Sequence, residues 1–248
     1  ILESTVNYDP VSILTDEDTL KANITQKIKL YLQKNLEKFN QKFRYSQLVQ
    51  DIDNVSDVEE LVEDCDSDEL FNINSINNLV CKIIDLGNAE LLEDFEPEAI
   101  QLRCYRAPEN VLFDFYNTKA DIWTMGCMLF DNLTGEFLFE IDHELYQDSL
   151  EKDLELLTQM YNTLGEMVVS DTFKSPYKDD LFVEGTAKLK DVSEDRLEPT
   201  PLKKLLMDSN ITGNDLDLLT DLFKKIFCYR HGERIDATEV LAHRWFSN

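Results

Sequence analysis

Residues 120–133 place Ile122, Trp123, Met125, Cys127, Met128, Leu129, Phe130 and Leu133 around most of the circumference of a helix. A surface helix keeps one polar face, so a segment apolar nearly all round predicts a helix in the middle of a domain, covered on all sides. Thr134-Gly135 supplies its stop, because glycine accepts the left-handed backbone on which helices end, and Phe137, Leu138 and Phe139 pack the exit.

Other helical signals flank this one. Residues 154–164 read as an amphipathic helix, and residues 214–227 repeat Leu216, Leu218, Leu219, Leu222, Phe223, Ile226 and Phe227 at helical spacing. Residues 237–245 form a terminal helix with Asp236 as its N-cap. The intervening residues 170–201 carry Pro176, Gly185, Pro199 and Pro201 and read as loop with one short helix. Near the start, Thr15 and Asp18 form a capping-box pattern for a helix over residues 15–50. Its apolar residues are Leu20, Ile24, Ile28, Leu30, Tyr31, Leu36 and Phe39, and Lys27, Lys29, Lys34 and Lys38 mark its polar side. Residues 51–69 hold aspartate and glutamate without one lysine or arginine, which predicts a self-repelling, solvated linker, and residues 71–78 continue it as an asparagine-rich connection. Val80, Ile83 and Ile84 are a short strand candidate that delivers Asp85 to a loop.

With 24 basic and 50 acidic residues the net charge is −26, a surface that repels nucleic-acid phosphates and anionic lipid headgroups and attracts basic partners. Solubility alone is the other account of that charge. Lys203, Lys204, Lys224 and Lys225 lack interleaved aromatics and do not read as an RNA site. The cysteines, at 65, 81, 104, 127 and 228, form no Cys-x-x-Cys pair and have no histidine cluster nearby, which predicts reduced thiols and excludes a zinc-thiolate pattern. No stretch is long and apolar enough to span a bilayer, so the expectation is a soluble, cytoplasmic or nuclear monomer without direct contact to nucleic acid or membrane.

The motif-bearing stretch begins with Asp85-Leu86-Gly87, where an aspartate beyond a strand is followed by a glycine that permits a sharp turn; a plain exposed loop is the other reading of this triplet alone. Tyr105-Arg106-Ala107-Pro108-Glu109 follows, then Asp121-Ile122-Trp123 with Gly126, Thr134-Gly135 with Leu138-Phe139, Arg234, and His243-Arg244-Trp245-Phe246. In this order the motifs resemble the C-terminal lobe of a eukaryotic protein kinase. Asp85-Leu86-Gly87-Asn88-Ala89 with Gln101-Leu102-Arg103-Cys104-Tyr105-Arg106 is most similar to the SR protein kinases, serine/threonine kinases of arginine-serine-rich proteins. The resemblance implies a mainly α, protein-kinase-like large lobe over residues 80–248, incomplete and preceded by a helical and acidic spacer insert over residues 1–79.

It also implies an activity and a set of roles. The ATP γ-phosphoryl group would pass to serines of basic proteins, with Asp85 holding Mg2+ and Gly87 aiming it against the nucleotide. Glu109 would pair with Arg234, and Asp121 would accept backbone hydrogen bonds from the catalytic loop, a helix cap being the other reading of that aspartate. Arg103, Tyr105 and Arg106 would face the substrate, and Asp153 and Glu155 would dock its arginines; a solvated helix start is the other reading of those two carboxylates. No glycine-rich loop, strand lysine or His-Arg-Asp loop precedes Asp85, and the first residue is Ile1. The expectation is therefore part of a longer product, with the catalytic base upstream of Ile1 and no activity in this chain alone. Residues 88–101 contain no Ser, Thr or Tyr, which predicts a kinase not switched by phosphorylation of this loop. Leu102 stands where the family carries a threonine that bonds the catalytic aspartate and lysine, and leucine can make neither bond. A pseudokinase, or an acidic module that docks basic segments without chemistry, is the competing reading.

Overall fold

A computed structural model describes residue 89 and residues 100–142, 145–146, 148–167 and 172–247, without the side chain of Ser247. The expected helix at 15–50, the acidic linker, the strand at 80–84 and the Asp85-Leu86-Gly87 turn lie outside the described residues. The described part is mainly helical and like a protein-kinase C-terminal lobe. After a 3-10 turn at Arg103–Tyr105 come α1 (Pro108–Val111), α2 (Lys119–Thr134), α3 (Ser149–Leu164) and α4 (Lys178–Leu181). A second 3-10 turn at Glu194–Arg196 precedes α5 (Leu202–Asp208), α6 (Gly213–Ile226), α7 (Ala237–Leu241) and α8 (Arg244–Ser247). Among the described residues the sole β pairing is an isolated bridge between Phe182 and Leu189.

Helix α2 is the axis of the core. Its Trp123 stacks on Phe139 with ring centroids 6.1 Å apart and meets Phe227 edge-on at 5.0 Å, while Phe130 meets Phe223 at 6.0 Å. Burying an aromatic or leucine side chain of this kind contributes about 1.5–3 kcal/mol, so this cluster outweighs any single polar contact in holding α2 against α6. Gly135 ends the helix at φ 77°, its N–H donating to the Asp131 carbonyl at 2.7 Å. Coverage on all sides does not hold. Asp121, Met128 and Asn132, spaced i, i+7 and i+11 along one side of the helix, are exposed, Met128 to 49 %.

Three boundaries differ from the sequence pattern. Helix α3 starts at Ser149, ahead of its apolar periodicity, because the Asp148 carboxylate caps it by accepting from Leu150 N–H at 2.7 Å. Helix α5 was hidden by the prolines before it; Leu202 and Leu206, one turn apart, are both buried. The terminal helix is two helices. Asp236 and Glu239 exchange capping-box hydrogen bonds of 2.8 Å at the start of α7, but α7 stops at Leu241. His243 then bonds Asp221 of α6 at 2.9 Å, and α8 restarts in a direction that buries Trp245 and Phe246.

Candidate functional site

The segment from Ile100 to Leu112 is fixed to the helical core at several points, and the deepest is an ion pair. Glu109 and Arg234 are both fully buried, and the guanidinium donates to the two carboxylate oxygens at 2.7 and 2.9 Å. Arg234 also donates to the carbonyls of Lys119 at 2.8 Å and Cys228 at 3.0 Å and lies 5.1 Å from the Trp123 ring. A buried charge is tolerated when its donors are largely paired, and these partners take four of the five N–H donors of Arg234. The pair joins α1 to α2 and to the chain before α7.

Tyr105 and Arg106 are built into the scaffold. The Tyr105 hydroxyl donates to Asp131 at 3.3 Å, its carbonyl accepts from Thr124 at 3.0 Å and its ring meets Phe137 at 6.0 Å. Burial, and then the Asp131 carboxylate, push the phenol pKa well above its ordinary value. Arg106 turns back on its own segment, with Nε donating to the carbonyls of Ile100 at 3.0 Å and Gln101 at 3.1 Å. Gln101 sits at φ 68°, a left-handed conformation costly for a residue with a Cβ, and these bonds hold it there. Leu102, the next residue, is 71 % exposed.

The carboxylates expected to dock arginines already hold partners. Asp153 is buried. Its Oδ1 pairs with Nη1 of Arg103, and its Oδ2 accepts from the Tyr177 hydroxyl at 3.0 Å. Arg103 also donates to the Ser149 hydroxyl at 3.1 Å and the Ser149 carbonyl at 3.3 Å. Two residues assigned to a substrate on sequence grounds, Arg103 and Asp153, thus bind each other, and the reason is geometric: the 3-10 turn faces the first turns of α3. Glu155 pairs with Arg196 and accepts from the Tyr146 hydroxyl at 2.9 Å and the Gln159 amide at 2.6 Å. The solvated-start reading does not describe Asp153 either.

Asp121 is exposed in the first turn of α2. It is not the cap, since the Asn117 side chain accepts from Lys119 N–H at 2.9 Å. Partial desolvation raises the Asp121 pKa against the opposing pull of a Gln101 hydrogen bond. Asp85 and Gly87 lie outside the described residues, and among the described residues no group of three or more His, Cys, Asp or Glu side chains is arranged to hold a metal. Sequence reading did not find Tyr177, Asp131 or Asp114, the last of which accepts from the backbone N–H groups of Lys174 and Ser175. None has a motif that marks it, because the contacts that tie each to the site come from partners distant in the chain.

A helical lobe whose pre-helix segment is locked by a buried carboxylate–guanidinium pair is the arrangement of a protein-kinase large lobe. The chain belongs to the protein kinase domain family, whose model matches residues 69–246. It is 30% identical over 187 residues to the serine/threonine-protein kinase SKY1 of Saccharomyces cerevisiae, covering 75% of this chain and 24% of that protein. To the dual specificity protein kinase lkh1 of Schizosaccharomyces pombe it is 28% identical over 181 residues, covering 69% of this chain and 24% of the relative. The serine/threonine-protein kinase AFC1 of Arabidopsis thaliana is 30% identical over 173 residues, covering 67% of this chain and 35% of that protein. The chain therefore spans about a quarter of the length of the first two relatives. Residues 1–58 separately match the baseplate structural protein gp6, C-terminal domain III, a stretch outside the described structure.

Proposed function

We propose that this chain is the large-lobe part of a serine/threonine protein kinase that transfers the ATP γ-phosphoryl group to serines in basic, arginine-serine-rich proteins. The observation that carries the reading is the buried Glu109–Arg234 pair, which fixes the segment from Ile100 to Leu112 in a chain of the kinase family. In this reading ATP with Mg2+ supplies the phosphoryl group, Asp85 and Gly87 would hold the metal and nucleotide, and the general base would belong to a catalytic loop that residues 1–84 do not contain. The described residues do the positioning. Arg106 holds the main chain at Ile100 and Gln101, Tyr105 is locked to α2, and exposed Asp121, which also takes a hydrogen bond from Gln101, would accept from backbone N–H groups of the catalytic loop.

The preference for basic substrates rests on the net charge of −26 and on the likeness to SR protein kinases. Since Asp153 and Glu155 are occupied by Arg103 and Arg196, the attraction comes from the remaining acidic surface. Such attraction weakens with salt over the Debye length. The deciding experiment is phosphoryl transfer by the complete protein to an arginine-serine peptide and to an acidic control peptide, at low and high ionic strength. The expected result is transfer to the basic peptide with a KM that rises with salt. Binding of the basic peptide with no transfer would favour the non-catalytic docking module, and equal transfer to both peptides would overturn the substrate assignment.

A further inference from the structure

We propose that Tyr177 is a positioning residue for the turn Arg103–Tyr105, which in the kinase reading borders the substrate, acting through the carboxylate of Asp153. The Asp153 side chain is 2% exposed and that of Arg103 16%, so their pairing is shielded from water. One carboxylate oxygen takes Arg103 and the other takes the Tyr177 hydroxyl at 3.0 Å, which leaves each oxygen with one charged or hydroxyl donor and fixes the plane of the carboxylate. Without the hydroxyl, Oδ2 would be a buried acceptor with nothing to accept from, and the carboxylate would rotate to share both oxygens with Arg103.

Tyr177 is itself held from the far end of the same segment. Its ring stands edge-on to Phe113 at 5.1 Å and 83°, and its N–H donates to the Ser175 hydroxyl at 3.2 Å. Ser175 N–H in turn donates to Asp114 at 3.1 Å, and Asp114 N–H donates to the Glu109 carbonyl at 2.9 Å. A closed circuit results: Arg103 to Asp153 on α3, to Tyr177, to Phe113 and Asp114, and back through α1 to the turn. Phe113 sits at φ 50°, a conformation that a bulky residue keeps only where its surroundings impose it. The stretch before α4 thereby sets the direction of Arg103, although it lies more than sixty residues later in sequence.

The test is Tyr177→Phe, which keeps the ring against Phe113 and removes only the hydroxyl. In the full chain, amide hydrogen exchange over residues 102–106 should accelerate about tenfold, the loss of one hydrogen bond to a charged group, while exchange in α6 stays unchanged. Unchanged exchange at 102–106 would overturn the proposal, and so would equal acceleration in α6, which is what general loosening produces. In the complete kinase the same substitution should raise the KM for a peptide substrate severalfold with kcat and the KM for ATP unaltered, and an unaltered peptide KM would also overturn it. This second arm rests on the kinase reading and the first does not. Absence of transfer by the parent enzyme would sink the function and leave the exchange result to decide the relay.

Discussion

Gly126 of α2 and Ile226 of α6 approach so closely that a Cβ on Gly126 would lie 2.4 Å from the Ile226 Cγ2 methyl and 3.0 Å from the Phe227 ring. A helix-interior glycine otherwise costs about 1 kcal/mol against alanine, so its presence here is explained by the crossing. The methyl cannot retreat easily, since a β-branched side chain has one preferred rotamer in a helix. Gly126→Ala should destabilise by about 1–3 kcal/mol in urea denaturation, and the loss should shrink in an Ile226→Ala background. Equal losses in both backgrounds would mean that the methyl contact is not the cause.

Removing one member of the Glu109–Arg234 pair leaves the other buried and uncompensated. Glu109→Gln should cost about 3–5 kcal/mol. Arg234→Lys should be nearly as damaging, because an ammonium cannot reach the carboxylate, Lys119 and Cys228 together. The midpoint of thermal unfolding reads both, and a drop for Glu109→Gln no larger than that of a surface substitution would contradict the assignment.

Asn110 stands next to that pair, is fully buried, and has no hydrogen-bond partner for either amide atom among the described residues. An unsatisfied buried amide costs about 1–3 kcal/mol. Asn110→Leu keeps the branching at Cγ without the polar atoms but is bulkier, so the relief of the amide is partly offset by overpacking and stability should rise by about 1 kcal/mol. A loss in equilibrium unfolding would show that the amide is satisfied or that the site lacks room.

Asp221 joins α6 to the chain before α8. Its pKa is lowered by the hydrogen bond from Lys225 at 2.6 Å and then by that from His243 at 2.9 Å. A carboxylate whose folded pKa lies below its unfolded value stabilises above the unfolded value and loses that contribution as pH falls through the folded one. The stability difference between the parent and Asp221→Asn should be level from about pH 7 to 5 and shrink below about pH 4. The group is largely exposed, so the difference should be small and should fall with added salt.

Much of the helical framework was legible because its signals are local. The 3.6-residue apolar period located α2 and α6, and a side chain three residues from its target identified the cap at Asp236. The break at His243 was not legible, because it depends on Asp221, 22 residues away in another helix. The open side of α2 was hidden too, since an apolar circumference does not say how many neighbours surround it. The pairing of Glu109 with Arg234, 125 residues apart, came from the family likeness and not from any spacing rule.

By itself the sequence determined where α2 and α6 lie, the cap that opens α7, the acidic charge and the ordered motifs that place the chain among protein kinases, because each of these is written in neighbouring residues or in composition. The tertiary structure alone decided what Asp153 and Glu155 do. Asp153 takes Arg103 from 50 residues away and Tyr177 from 24, and Glu155 takes Arg196 from 41. A carboxylate's role depends on which cation and hydroxyl the packing brings to it, and packing is set by the whole core.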